Sequence, residues 1–192
     1  MRWLQNERLR QRWVWLKRCR YCRGFGIQSP TDYAFVRYVI NQHNPYYAYE
    51  EFEGMGLTPI ILKKGKLLFR LVNYWQPSAV YVHALSTDFT PFIMAAKRGV
   101  AVKPLSERTK GERLVLLTNA AEMDNDLMAL LLAEGDEQMM WVVEDIHKNT
   151  SNRRRWKKLV KAQQTVLTYD LYDVGIVFFH QRRVKQHYLI NF

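Results

Sequence analysis

No glycine falls between Ser78 and Phe92, where the chain reads SAVYVHALSTDFTPF, an apolar strand running into a helix start. At the head of an α/β domain such a turn binds a nucleotide when glycines let the backbone approach the ligand. Here His83, Ala84, Leu85, Ser86, Thr87 and Asp88 fill that place, and a side chain on each narrows the approach. Cysteine is scarce as well: Cys19 and Cys22 form a lone CRYC pair. A zinc site needs four ligands and a redox pair normally opens a helix after a strand, so these read as two reduced thiols. No run approaches the roughly 18 apolar residues of a membrane span, and no apolar signal-peptide core is present. The sequence therefore points to a cytoplasmic domain without a transmembrane segment.

Acid is almost missing from the start. Residues 2 to 23 carry Arg2, Arg8, Arg10, Arg12, Lys17, Arg18, Arg20 and Arg23 against Glu7, which is seven of the net charge of +11. Such a stretch is either an arm for nucleic acid, an acidic protein or an anionic membrane surface, or a basic solvated helix that packs a few aromatics. A helix lying on a membrane is disfavoured, because Arg2 and Arg20 fall on the stripe made by Leu9, Trp13 and Leu16. A second basic cluster, Arg153, Arg154, Arg155, Lys157, Lys158 and Lys161, surrounds Trp156. It carries the same two readings, a solvated helix face or a phosphate contact.

What is present suits a globular chain. Hydrophobic residues make up 48% of the 192 and aromatics 14%, enough to bury roughly 70% of the unfolded surface. The spacing predicts a helix at about 4–20, a second carrying Tyr33, Phe35, Val36, Val39 and Ile40, a turn-rich aromatic stretch over 45–66, and a helix from Lys66 to Trp75. Within the aromatic stretch, Tyr46, Tyr47, Tyr49 and Phe52 either cover a pocket or plug one. From Ser78 onward, strands at 79–84, 100–103, 113–118 and 139–143 alternate with helices at 89–98, 124–134 and 152–163, as in a parallel sheet. Runs at 165–170, 175–179 and 186–192, with few helical residues between them, predict an antiparallel finish. Residues 1–77 read as a helical cap segment and 78–192 as an α/β domain.

The ordered set GIQSP, PYYAYEEFE, LLFRLVNYWQPSAVYV, VVEDIH and VLTYDLYDVGIVFFHQRRVKQHYLINF covers nearly all the chain beyond the first twenty residues. It resembles a bacterial O-methyltransferase-like family of class I S-adenosylmethionine-dependent methyltransferases. The resemblance implies a Rossmann-like sheet, mostly parallel with an antiparallel C-terminal strand, and a small-molecule methyl acceptor. It implies S-adenosyl-L-methionine as cofactor, held through the turn carrying His83, Ser86 and Asp88, with Asp145 and His147 near the substrate. It also exposes departures. Lys103 stands where an acid should accept the ribose hydroxyls, and lysine has no acceptor; Glu107 follows a few residues on. Thr118 stands where a metal-binding acid would, and no metal set is assigned. About fifty residues separate the first strand from the fifth, which leaves the sheet one strand short. The reading is thus a methyltransferase-like pseudoenzyme with impaired or lost cofactor binding, the alternative being a non-catalytic basic binding module. His83, His147, His180 and His187 each have a packing reading; His147 is singled out because it follows a strand end beside Asp145.

Overall fold

The structure, a computed structural model, describes residues 7–21, 24–85, 87–109, 111–179 and 182–192, with no account of the side chains of 7–12. Ser86, Cys22, His180, Arg2 and Arg23, and the side chains of Arg8, Arg10 and Arg12, therefore lie outside the described residues.

The helical third is built from local capping and turn signals. Helix α1 (Glu7–Arg18) ends in a 3-10 turn, Cys19–Tyr21. Helix α2 (Pro30–Phe35) starts where the Ser29 hydroxyl accepts from the Asp32 amide, with Pro30 in its first turn, and loosens into a π-helical turn over Val36–Ile40. The turn-rich reading of 45–66 fails in two places, for α3 spans Ala48–Gly54 and α4 spans Pro59–Trp75. Thr58 and Pro59 supply a cap and a first helical residue, so α4 begins seven residues before the apolar period becomes obvious at Lys66. It ends at Gln76, which turns left-handed before Pro77.

Seven strands follow: β1 (Ala79–His83), β2 (Ala101–Pro104), β3 (Leu114–Asn119), β4 (Met139–Glu144), β5 (Leu167–Asp170), β6 (Val174–Phe178) and β7 (Gln186–Leu189). Between them lie α5 (Thr90–Ala96), α6 (Asn125–Ala133) and α7 (Thr150–Lys161). They form one mixed sheet in the order β2-β1-β3-β4-β6-β5-β7, so the protein is α/β. Only β6 runs against the rest. The antiparallel finish is therefore confined to that strand: β5 and β6 make a hairpin through the left-handed Tyr172, whereas β7 crosses to the far side of β5 and pairs with it in parallel.

Both faces of the sheet are covered, which is why β3 and β4 are buried at every position and read as continuous apolar runs. On one face Val80, Val115, Leu117, Met140, Val142 and Phe178 pack with α2, α4 and α5. On the other, Tyr81, Leu116, Trp141 and Val143 pack with α6 and α7. The fit of α4 against α5 depends on Gly65, where an added Cβ would stand 2.4 Å from the Phe92 ring. The aromatic stretch is divided: Tyr46, Tyr49 and Phe52 pack around Phe69, while Tyr47 is fully exposed. Among the described residues no helix is long and apolar enough to cross a membrane.

Candidate functional site

The parallel strands deliver their C-terminal ends to one edge, where α/β proteins place their ligands. His83 lies level with Thr118, and Asn119 with Glu144, so the ends of β1, β3 and β4 are side by side. The turn after β1 contains a residue in the conformation that favours glycine. Ala84 has φ +49°, in the left-handed region, which disfavours an L residue by about 1–2 kcal/mol. This brings Leu85 onto the core and buries Phe89. Together with Leu67, Leu68, Leu71, Leu117 and Val142 they close around about 20 Å³, the room of one water.

Asp88 is exposed and accepts from the Thr90 amide at 2.8 Å, which closes a turn just before α5. The hydrogen bonds from Thr90 hold its carboxyl below the usual range. Outside this turn a shallow cavity of about 350 Å³ is lined by residues from Val82 to Ile93, with no wall from β2, β3 or β4. His83 is half-buried at the strand end, and Glu107 is exposed on the turn after β2.

Asp145 and His147, read from the sequence as neighbours in one site, turn toward different partners. Asp145 has φ +59° and sits at a junction. Its amide donates to Asp173 O at 2.6 Å and its carbonyl accepts from Asn152 Nδ2 at 2.9 Å. Its carboxylate takes Lys64 and Lys148, each at 2.9 Å, and Asn119 Nδ2 at 3.4 Å. Lys64 also reaches Glu144 at 3.1 Å. Burial pushes Asp145 up, but the bonds and charges of Lys64 and Lys148 outweigh it and leave the carboxyl below its ordinary value. For Glu144 burial wins over the attraction of Lys64 and the pKa is raised. Burial would lower Lys64, yet the two carboxylates raise it. The second Glu144 oxygen is buried without a partner among the described residues.

His147 belongs to a separate cluster centred on Asp170, which is 2% exposed. One Asp170 oxygen accepts from Arg18 and from the Tyr172 amide, both at 2.9 Å; the other accepts from Trp156 Nε1 at 3.0 Å and lies 2.7 Å from His147 Nε2. Burial opposes its ionisation, but His147 and Arg18 prevail and hold Asp170 at about 2. The His147 ring stacks on Tyr172 with 5.1 Å between centroids. One ring nitrogen is thus committed to Asp170, and any proton transfer would have to use the other. Arg18, counted from sequence with the basic arm, is instead drawn into the fold.

Thr118 is turned to the α6–α7 side of the sheet, where its hydroxyl accepts from Trp141 Nε1 at 2.9 Å. His187 pairs with the Thr168 hydroxyl at 2.8 Å, and burial lowers its pKa. Among the described residues no group of three or more His, Cys, Asp or Glu is arranged to hold a metal ion. Lys64 and Asp170 are the residues that sequence reasoning passed over. A signal for the first existed: Ile60, Ile61, Lys64, Leu67, Leu68 and Leu71 share a helical stripe, and a cation on an apolar stripe needs a buried anion. Compared with protein-family models, curated proteins and solved structures, the chain matches none.

Proposed function

We propose that this chain is a methyltransferase-like protein that has lost the binding of S-adenosyl-L-methionine and acts by binding, without methyl transfer to a small-molecule acceptor. The observation that carries this reading is the filled corner at the end of β1. Leu85 and Phe89 pack into the space that, on this reading, the cofactor's methionine part would need, and Lys64 ties α4 to the end of β4 beside it through Glu144 and Asp145. Lys103 on β2 offers no acceptor for a ribose, and Glu107 is turned out to solvent. The residues present do not fit the cofactor. The sheet order is in keeping with the proposed ancestry: it has the parallel strands and the antiparallel insert of a Rossmann-like methyltransferase sheet, and it stops at β2, where a further strand would complete the adenine wall. The cytoplasmic location read from the sequence belongs with this proposal.

Thermal denaturation with saturating S-adenosylmethionine or S-adenosylhomocysteine tests it. A ligand at 100 times its Kd stabilises the native state by about 2.7 kcal/mol, roughly 5–11 °C for this size. No shift is expected; a shift of that order overturns the proposal.

A second reading, a basic surface for nucleic acid, is favoured by α7. Its sequence TSNRRRWKKLVK has no acid, and Arg153, Arg154, Lys157, Lys158 and Lys161 are exposed around a buried Trp156. RNA retention that falls with salt and weakens when these five are neutralised is its expected outcome; retention indifferent to salt refutes it.

A further inference from the structure

A cavity of about 640 Å³ opens between α1, the end of the π-helical turn, α3, the first half of α4 and the last residue, Phe192. It uses neither the turn after β1 nor Asp145 and His147. Its volume lies within the usual range of small-molecule clefts, and its chemistry is one-sided. Arg70 is 6% exposed on its wall. The guanidinium donates to Val39 O at 2.6 Å, Ile40 O at 2.9 Å and the Tyr49 hydroxyl at 2.9 Å, all uncharged acceptors. Among the described residues no carboxylate pairs with it. A buried cation is normally matched by an anion, because desolvation is not repaid by neutral partners alone.

The same wall holds Asn41, whose buried Nδ2 has no partner among the described residues. Lys63 stands 4.4 Å over the Phe192 ring, and burial lowers its pKa by more than the attraction of Asp173 raises it. Lys66 lies over Tyr49 and is taken up by Glu53, the one acid among the lining residues. Trp15, Tyr49 and Phe192 supply aromatic surface beside these donors.

We propose that this cavity binds a small anion, a carboxylate or phosphate carried on a flat apolar body. Arg70 and Asn41 face the charged head, Lys63 adds to the field, and the aromatic walls take the body. This holds whatever the outcome of the cofactor test, since the two sites share no residue.

Saturation-transfer NMR on the full chain, with benzoate and phenyl phosphate as probes at matched ionic strength, tests the inference. At least one of them binds saturably, with a Kd of about 1 mM or tighter for molecules of that size, and the tighter one identifies the head group. Benzamide, which keeps the ring and lacks the charge, binds at least tenfold more weakly. Lys63→Gln and Asn41→Leu each weaken the charged probe about tenfold or more. Both variants should melt with the parent, because Lys63 is exposed and removing an unpartnered donor carries no loss. Saturable binding by neither anion, equal binding of benzamide, or binding unchanged in both variants overturns the proposal.

Discussion

Replacing Lys64 by methionine isolates the interaction that ties α4 to the end of β4. The lysine side chain is 14% exposed and its partners Glu144 and Asp145 are 6% and 14% exposed, so the variant strands two carboxylates rather than relaxing a surface pair. The losses are unequal. Asp145 keeps Lys148 and Asn119, whereas Glu144 loses its one charged hydrogen-bond partner and already has one oxygen unpaired. Breaking a buried pair from one side costs about 3–5 kcal/mol; with Asp145 still held, the low end applies, about 3 kcal/mol. For a chain of this length that is a fall in Tm of roughly 6–12 °C. The pH dependence has a definite sign. Glu144 already titrates above its ordinary value because of burial, and losing Lys64 raises it further. A carboxyl raised in the folded state contributes stability at low pH that is lost as pH rises through the folded pKa. The gap between Lys64→Met and the parent therefore narrows as the solution is acidified. Adding Glu144→Gln to Lys64→Met should recover about half the loss at neutral pH. Calorimetry of the parent, both single variants and the double at several pH values gives the coupling. A single-variant loss under about 1 kcal/mol, or a gap that widens on acidification, would refute the reasoning.

The other expected outcomes concern the neighbouring features. Asp170, held at about 2 against an ordinary 3.8, contributes stability above pH 4 that disappears as pH falls toward 2, on the order of 2 kcal/mol; Asp170→Asn should flatten acid unfolding in that window while lowering stability at neutral pH. Ala84→Gly relieves a left-handed alanine and should raise Tm by roughly 2–4 °C, the gain being about 1 kcal/mol after the entropy of glycine; an unchanged or lower Tm contradicts the geometry of the turn. Gly65→Ala separates two principles: helix propensity favours alanine by about 1 kcal/mol, but a Cβ placed 2.4 Å from Phe92 overpacks the α4–α5 contact by about 1–3 kcal/mol. A net loss in denaturant titration is expected.

Much of the fold was legible because the strands announce themselves twice, by apolar runs buried on both faces and by turn residues between them. Every strand from β1 to β7 lies within a few residues of its predicted run. The early start of α4 was hidden because Gly54, Gly56, Pro59 and Gly65 read as turn residues across its first two turns and just before them. The direction of β7 was hidden because nothing in residues 179–185 states on which side of β5 the chain returns. At the candidate site, the absence of glycine after β1 and of an acid at Lys103 could be read directly, since both follow from residue type.

The sequence by itself determined the α/β class, the alternation of elements, the acid-poor basic helix α7 and the glycine-free turn, because periodicity and side-chain chemistry are local. Tertiary structure alone decided what these residues meet. It separated Asp145 from His147 by giving each a different partner, turned Arg18 inward to Asp170, and packed Leu85 and Phe89 onto the core at the end of β1. It also left Arg70 buried on a cavity wall with no carboxylate paired to it among the described residues. Those outcomes depend on pairings between residues far apart in the chain, and no local pattern encodes which cation finds which anion.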